Sequence, residues 1–307
     1  MFLIWKLRRT RNLNTILTAK IEDIKKQVKE WKAEGLTVGL VPTMGALHAG
    51  HASLMKKAKE TCDRVVVSAF VNPIQFGPNE DYDKYPRTIE KDKETCQNND
   101  VDILFAPTPS EMYGDSLVNS CGLTNKSLTF VYPPYGLVDK LCGKSRVGHF
   151  DGVATVVLKL FNIVQPDFAF FGQKDAQQLI IIMKMVNDLN VPLTIVPCPI
   201  VREEDGLALS SRNRYLSEEA RTKALTISKA IFAVKDMFEK GETNTKYLLE
   251  TALATLDKSL DVEYFEFVDM ENLESQENIN QKTLVATAVK IDNVRLIDNI
   301  IIGDNKS

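Results

Sequence analysis

Through the first two-thirds of the chain, short apolar runs alternate with segments in which apolar residues recur at helical spacing. The runs predict four buried strands, at residues 36–41, 64–70, 101–106 and 167–171. Apolar residues at helical spacing predict helices at residues 19–34, 51–61, 151–164 and 174–190. Strands that are apolar throughout and separated by helices are typical of a parallel sheet that is covered on both faces.

A different pattern begins near residue 200. Two predicted helices, at residues 217–240 and 244–258, precede three strands in the segments VEYFEFVD, TLVATAVKI and VRLIDNIII. Helices followed by neighbouring strands indicate a separate, smaller α+β domain. Because 307 residues are enough for two domains, we predict an α/β fold with a parallel-sheet domain at 1–200 and an α+β domain at 201–307.

Composition and charge exclude several classes of function. Hydrophobic residues make up 44% of the chain and charged residues 26%, as in ordinary globular proteins. A formal net charge of -3 provides no overall basic field for nucleic acid. The five cysteines are widely spaced, odd in number and without a CxxC pair. This pattern favours reduced thiols over a disulfide framework or a structural zinc site.

The first fifteen residues, MFLIWKLRRTRNLNT, are apolar and then basic. Their apolar run is too short to span a membrane, and a signal peptide would carry its charges before the apolar run. We interpret residues 1–15 as a flexible extension. The chain is therefore predicted to be cytoplasmic, with neither a membrane nor a nucleic acid as its partner.

Three polar segments begin where predicted strands end. They are PTMGALHAGH (42–51), FVNPIQFG (70–77) and FFGQKD (170–175). Ligands of parallel sheets bind outside the carboxyl ends of the strands, so we expect these segments to meet at one edge of the sheet.

Two of the three histidines in the chain lie in the first segment. His48 and His51 can share one face if a helix begins between them, while Gly45 and Gly50 let backbone N–H groups approach a ligand. That arrangement suits the phosphates of a nucleotide. Alternatives are a glycine-rich turn with one capping histidine, or a metal pair. Zinc would need a further ligand, and only His149 remains, without an HExxH pattern.

Two further segments carry groups that suit phosphate. In LALSSRNRYLS, two serines and Arg212 can clamp phosphate oxygens, although a solvated loop before a helix capped by Ser217 explains the same residues. In FFGQKDAQQL, Lys174 and Gln178 lie one helical turn apart, and the alternative is an ordinary helix start.

The segment KSRVGHFDGV offers Arg146 and His149 before a buried helix. The alternative is a basic loop in which Asp151 caps that helix. A dehydrogenase is poorly supported, because no GxGxxG follows the first strand.

Taken in order, these segments resemble the pantoate–β-alanine ligase (pantothenate synthetase) family. The resemblance rests on PTMGALHAGH, FVNPIQFGPNEDYDKYPRT, GHFDGVATVV, FGQKDAQQL and VREEDGLALSSRNRYL, and extends from about residue 16 to VRLIDNIII. The family belongs to the HxGH nucleotidyltransferases, which are related to class I aminoacyl-tRNA synthetases. HAGH is similar to their HIGH element, and LSSR takes the place of KMSKS. The resemblance implies a Rossmann-like domain that binds ATP and pantoate, with the C-terminal domain as a lid.

The resemblance also implies a two-step ligation. The carboxylate of pantoate attacks the α-phosphate of Mg-ATP, which gives pantoyl adenylate and pyrophosphate. The amine of β-alanine then attacks the adenylate, which gives pantothenate and AMP. The substrates would be ATP with Mg²⁺, pantoate and β-alanine, and the protein would be a homodimer. Closure of the lid would protect the adenylate from water.

Roles for particular residues follow from the same resemblance. The catalytic residues would be His48, His51, Lys174 and Arg212, with His51 preferred as proton donor. ATP would be bound by Met44, Gly45, Ala46, Leu47, His48, Ala49, Gly50, His51, Gly172, Gln173, Lys174, Asp175, Val201, Leu209, Ser210, Ser211 and Arg212. Gln75, Gln178 and Arg146 would bind pantoate or β-alanine, and Asp92 would help to place Mg²⁺.

Three features depart from the family pattern. Val147 stands where the family usually has proline, the connector at 119–140 is longer than expected, and both chain ends extend beyond the resemblance. Two alternatives in function stay open. Another HxGH nucleotidyltransferase would lack the FVNPIQFG and GQKDAQQL pair. A non-catalytic nucleotide-binding relative would not need His48, His51, Lys174 and Arg212 together.

Overall fold

The computed structural model describes residues 14–78, 80–114 and 128–303. The strands are β1 (Ile16–Thr18), β2 (Val38–Thr43), β3 (Arg64–Ala69), β4 (Ile103–Phe105), β5 (Phe168–Gly172), β6 (Thr194–Cys198), β7 (Asp261–Asp269), β8 (Thr283–Ile291) and β9 (Val294–Ile302). The helices are α1 (Ile21–Ala33), α2 (Ala49–Thr61), α3 (Ile89–Asn98), α4 (Pro109–Tyr113), α5 (Tyr135–Val138), α6 (Leu141–Ser145), α7 (His149–Val164), α8 (Ala176–Asp188), α9 (Glu218–Glu239) and α10 (Thr245–Thr255). Short 3-10 turns cover Pro73–Gln75, Gln173–Asp175 and Ser211–Tyr215.

The first six strands form one sheet in the order β1-β4-β3-β2-β5-β6, and every pair in it is parallel. Neighbouring residues of a strand point to opposite faces. Thus Leu40 of β2 packs in a core with α1, α7 and α8, whereas Val41 packs in a second core with α2 and α3. Both faces are buried, which explains why the strands are apolar throughout and confirms the predicted fold class.

The last three strands form an antiparallel sheet in the order β7-β8-β9. Helices α9 and α10 pack on it around a core of their own, which includes Ile231, Leu248 and Val285. Leu284 and Ala286 point the other way and join the core of the parallel sheet. The α+β unit therefore packs directly against the parallel-sheet unit, where it contacts α6 and the Gln173–Asp175 turn. The exact boundary at residue 200 stays a prediction.

The observed ends of the predicted elements lie close to the expected ones, but several elements were missed. Strand β1 has only three residues, and β6 contains Pro197 and is half-exposed, so neither has a continuous apolar run. Helix α3 is polar and buries only Asp92 and Cys96. Helix α8 begins at Ala176, two residues later than predicted, because Gln173–Asp175 forms a 3-10 turn.

Two predictions concern segments that fall largely outside the described residues. These are the flexible extension, of which the structure describes only residues 14 and 15, and the connector, of which it describes 128–140. Within the described ranges, none of the helices combines the length and apolar character that crossing a membrane requires.

Helix α7 approaches the turn that follows β3 unusually closely, at Gly152. A Cβ atom there would lie 2.3 Å from the Ile74 carbonyl oxygen and 2.6 Å from the Gln75 Cα atom. Because both neighbours are backbone, they cannot rotate away. Glycine at this position therefore fixes the distance between α7 and the Pro73–Gln75 turn.

We expect Gly152→Ala to lower the free energy of unfolding by about 1–3 kcal/mol, the usual cost of overpacking a core. Urea denaturation measures this loss. Gly136→Ala is the matched control, since a Cβ at Gly136 would meet nothing within 4 Å. Equal stability of the two variants would contradict the assigned role of Gly152.

Candidate active site

The turn after β2 is held by a buried carboxylate. Gly45 and Ala46 both have positive φ angles, 82° and 51°. The N–H groups of Ala46 and Leu47 donate to Asp92, at 3.0 and 2.8 Å, and the Thr88 hydroxyl donates to it at 3.2 Å. Asp92 is 2% exposed. These contacts give it a structural role, and they lend no support to the hypothesis that it contacts Mg²⁺.

His48 and His51 form a reciprocal cap at the start of α2. The Gly50 N–H donates to His48 Nδ1 at 3.1 Å, and the His48 N–H donates to His51 Nδ1 at 3.3 Å. A Cβ at Gly50 would lie 2.9 Å from the His48 ring, so glycine makes room for it. Because each Nδ1 accepts a hydrogen bond, a neutral imidazole must carry its proton on Nε2.

The electrostatic surroundings keep both imidazoles neutral. Burial, followed by the positive charge of Lys174, lowers the pKa of His48 to about 4. Burial, followed by His48 and Lys174, lowers the pKa of His51 to about 3. Two neutral Nε2–H donors therefore lie side by side at a helix N-terminus, with their ring centroids 4.0 Å apart. Such donors suit an anion.

Gln75 follows β3 and is oriented by a buried network. Asn72 donates to Gln75 Oε1 and to the Gly152 carbonyl, both at 3.1 Å, and accepts from the Tyr113 hydroxyl at 2.7 Å. Gln75 Nε2 lies 3.1 Å from Met44 Sδ. The network fixes which way the amide of Gln75 faces.

Arg146 lies between a carboxylate and the third histidine. It donates to both oxygens of Glu80, at 2.7 and 2.6 Å, and to His149 Nε2 at 2.8 Å. His149 therefore carries its proton on Nδ1, which donates to the Gln75 carbonyl at 2.8 Å. Burial, followed by Arg146, lowers the pKa of His149 to about 4. Burial tends to raise the pKa of Glu80, but the hydrogen bonds from Arg146 lower it overall.

Lys174 lies in the 3-10 turn between β5 and α8. The carbonyl oxygens of Gln173 and Lys174 accept hydrogen bonds from Asn299 Nδ2, at 3.0 and 2.9 Å. Across the residues that the structure describes, the ammonium of Lys174 and the side-chain amide of Gln178 have no hydrogen-bond or ion-pair partner. Both groups are thus available to a ligand.

Arg212 is presented by a capped turn. The Ser210 hydroxyl accepts from the Arg212 N–H at 3.2 Å, and the Arg212 guanidinium donates to both oxygens of Asp81 at 3.2 Å. The Leu209 N–H donates to the Val201 carbonyl at 3.0 Å. This hydrogen bond brings Leu209 back to Val201, directly before the turn that begins at Ser211.

These residues line one cavity of about 240 Å³ at the carboxyl ends of β2, β3 and β5. A second cavity of about 930 Å³ adjoins it, and both share Arg146, Lys174, Gln178 and Arg212. The convergence of the three strand-end segments is thereby confirmed. The predicted residues that line the smaller cavity are Met44, His48, Gly50, His51, Gln75, Arg146, Gly172, Lys174, Asp175, Gln178, Val201, Leu209, Ser210, Ser211 and Arg212. The remaining predicted residues are not among those that line this cavity, namely Gly45, Ala46, Leu47, Ala49, Gln173 and Asp92.

Sequence reasoning missed residues that hold the site. Asn72 is polar and 1% exposed, and it lies inside the FVNPIQFG segment from which only Gln75 was selected. Glu80 and Asp81, the partners of Arg146 and Arg212, lie in a turn-rich stretch with no periodicity. Asn299 and its neighbour Asp298 are polar residues between the apolar residues Ile297 and Ile300 of VRLIDNIII, and that contrast was the available signal.

The parallel sheet and the HxGH helix start at its central strand define a Rossmann-like protein of the HxGH nucleotidyltransferase class. The family model of pantoate–β-alanine ligase matches residues 16–301. The chain therefore belongs to the pantoate–β-alanine ligase family, as the ordered motifs predicted.

Individual relatives agree over nearly the whole chain. The pantothenate synthetase of Caldicellulosiruptor saccharolyticus is 50% identical over 94% of this chain and 99% of its own length. That of Clostridium acetobutylicum is 51% identical over 91% of this chain and 96% of its own length.

Solved structures agree as well. The pantothenate synthetase of Thermus thermophilus matches with a TM-score of 0.85 and 38% identity, covering 93% of this chain and 99% of that one. The pantoate–β-alanine ligase of Francisella tularensis, complexed with beta-gamma ATP and β-alanine, matches with a TM-score of 0.71 and 33% identity over 94% of this chain and 97% of that one.

The three histidines give a direct test of the site geometry, because their ring protons are fixed by different partners. At pH 7, we expect ¹⁵N NMR of the imidazoles to show three neutral rings, since each pKa lies well below 7. His48 and His51 should be Nε2–H tautomers, and His149 should be the Nδ1–H tautomer. Single His→Gln variants assign the signals. An imidazolium, or an Nδ1–H tautomer at His48 or His51, would contradict the capping arrangement.

Proposed function

We propose that the protein joins pantoate to β-alanine at the expense of ATP, through a pantoyl-adenylate intermediate. One observation carries the proposal. Two neutral imidazole donors, the ammonium of Lys174 and the guanidinium of Arg212 all line one cavity at the carboxyl ends of the central strands. Four donors of this kind suit a polyphosphate. The description of the matching family, pantoate–β-alanine ligase, names the acid and the amine that would be joined.

In the first step, a carboxylate oxygen of pantoate bonds to the α-phosphorus of ATP, and the bond from that phosphorus to the bridging oxygen breaks. Negative charge builds on the α-phosphate oxygens and on the departing pyrophosphate. The Nε2–H groups of His48 and His51 would donate to the α-phosphate, while Lys174 and Arg212 would neutralise pyrophosphate. Since both imidazoles are neutral, we assign them hydrogen-bond donation and not transfer of a proton.

Gln75 and Gln178 would hold pantoate. Both amides line the cavity, and the network through Asn72 and Tyr113 keeps Gln75 in one orientation. Correct orientation of two reactants can supply a large part of the rate enhancement. These two residues would therefore act by placing the carboxylate in line with the phosphorus.

Mg²⁺ would enter together with ATP. Over the described ranges, no three or more His, Cys, Asp or Glu side chains converge as a metal site. Mg²⁺ commonly keeps several waters and binds through the phosphates of its nucleotide. The protein would therefore recognise the complex through the phosphate oxygens.

In the second step, the amine of β-alanine bonds to the acyl carbon, AMP leaves with the bonding electrons, and the amine loses a proton to solvent. Arg146 would contact the β-alanine end of the site, since it lines both cavities. We also propose that the C-terminal unit shields the adenylate from water and that the protein is a homodimer. Light scattering at working concentration tests the dimer, and a monomer would refute it.

The adenylate route predicts pyrophosphate release before any amide forms. With Mg-ATP and pantoate but no β-alanine, we expect a burst of about one pyrophosphate per active site. Addition of β-alanine should then start steady formation of pantothenate. Binding of ATP without pantoate-dependent pyrophosphate release would favour a nucleotide-binding relative without this activity.

Lys174→Ala should slow the pyrophosphate burst by about 100-fold or more, which is in the range lost with one electrostatic donor at a transition state. The fold should be retained, because the ammonium has no ion-pair partner in the described parts of the chain. Lys184→Ala is the matched control, since Lys184 lies on α8 and pairs with Asp188 at the surface. A normal burst in Lys174→Ala would refute its role.

A further inference from the structure

Strand β9 contains a buried polar pair, Asp298 and Asn299, between apolar neighbours. Asp298 is 3% exposed and Asn299 is 4% exposed. Burial of such groups costs free energy unless their hydrogen bonds are satisfied, so their partners explain their presence. Those partners lie outside the β7-β8-β9 sheet.

Asn299 reaches the first of the two cationic loops. Its Nδ2 group donates to the carbonyl oxygens of Gln173 and Lys174, at 3.0 and 2.9 Å. These are the two peptide units on either side of the Lys174 Cα atom. One amide from the C-terminal sheet therefore fixes the backbone from which the Lys174 side chain projects.

Asp298 reaches the second cationic loop through Arg202. The Arg202 guanidinium donates to both oxygens of Asp298, at 2.7 and 2.9 Å, and packs over the Phe232 ring at 4.9 Å. Arg202 pairs in an antiparallel bridge with Ala208, whose carbonyl accepts from Asn213 at 3.1 Å. Asn213 follows Arg212, so this chain of contacts ends one residue from Arg212, whose guanidinium lines the cavity.

The two halves of the pair are also joined to each other. The Asn299 N–H donates to Asp298 Oδ1 at 2.7 Å. That oxygen is one of the two that accept from Arg202, so a shift of either residue disturbs both loops. The loops themselves are far apart in the sequence, and β9 contacts both.

We propose that Asp298 and Asn299 are positioning residues, which set Lys174 and Arg212 at the spacing that the departing pyrophosphate requires. This inference rests on the proposed function. Both residues also line the larger cavity. Their side chains are nevertheless engaged by the loops, Asn299 through two backbone carbonyls and Asp298 through Arg202, so we assign them positioning and not contact with a substrate. A displacement of about 1 Å in a catalytic group can slow a reaction about 100-fold.

The two half-reactions should respond differently. Pyrophosphate carries more negative charge than AMP, so misplaced cations should slow adenylate formation more than the attack of β-alanine. A variant that merely loosened the fold would slow both steps. The ratio of the two rates therefore distinguishes positioning from general loss of stability.

The test uses two shape-conserving variants of the full chain, Asn299→Leu and Asp298→Asn. Asn299→Leu removes both hydrogen bonds to the Lys174 loop. Asp298→Asn removes the negative charge and one of the two acceptors that face Arg202, and both changes nearly conserve volume. The matched control is Thr287→Val, which removes a buried hydrogen bond of 2.8 Å to the Tyr264 carbonyl, in the strand paired with Asp298. Rapid quench measures the pyrophosphate burst with Mg-ATP and pantoate. AMP release on adding β-alanine to accumulated adenylate measures the second step, and circular dichroism checks the fold.

We expect the burst rate to fall about 10- to 100-fold in both variants, with less than about 3-fold change in AMP release and in both rates of Thr287→Val. If Asn299→Leu fails to fold, Asp298→Asn carries the test. Adding Asn299→Leu to Lys174→Ala should slow the burst little further, because the first change acts through the second residue.

Three results would overturn the inference. They are a wild-type burst rate in the folded variants, equal slowing of both steps, and an equal effect of Thr287→Val. A wild-type protein that releases no pyrophosphate with pantoate would overturn the proposed function, and the inference with it.

Discussion

The reciprocal hydrogen bonds at the start of α2 constrain the whole site. They occupy the Nδ1 atoms of His48 and His51, so that the ring protons must lie on Nε2. They also require Gly50 next to the rings and a fixed turn before them, which Asp92 provides. Burial then keeps the rings uncharged beside Lys174. The result is an anion-binding site in which two of the four donor groups, the imidazoles, carry no charge. The cavity therefore avoids the repulsion between four neighbouring cations.

Around this helix start, each remaining group is held by a residue from a distant segment. Asn72 and Tyr113 hold Gln75, and Asn299 holds the turn of Lys174. Gly152 lets α7 pack against the Pro73–Gln75 turn at backbone distance. The rigid sheet supplies the strand ends, whereas these cross-contacts set the directions in which the side chains point. Together they provide the supporting shell on which a functional site depends.

Sequence reasoning recovered the parts of this arrangement that are local. Apolar runs revealed the central strands, and the HAGH and QKD segments could be placed because each directly follows a strand. Strand β6 and helix α3 escaped because they are half-exposed or polar, so no apolar period marks them. The hydrogen bonds from Ala46 and Leu47 to Asp92 also escaped, since a carboxylate in the sequence does not reveal its partners. The Asn299 contact joins residues 125 and 126 positions apart, and only the folded chain brings them together.

The pairing of Arg146 with Glu80 and of Arg212 with Asp81 has a consequence for selectivity. Two consecutive acidic residues already pair with the two arginines, and they engage Arg146 more completely than Arg212, which uses Nη2 alone. An incoming anion therefore competes with a resident carboxylate. The gain in free energy is then the difference between two ion pairs. A monovalent inorganic anion gains little from such an exchange, whereas a polyphosphate that meets several donors at once gains more. The two resident carboxylates therefore favour the binding of multivalent anions over that of single inorganic ions.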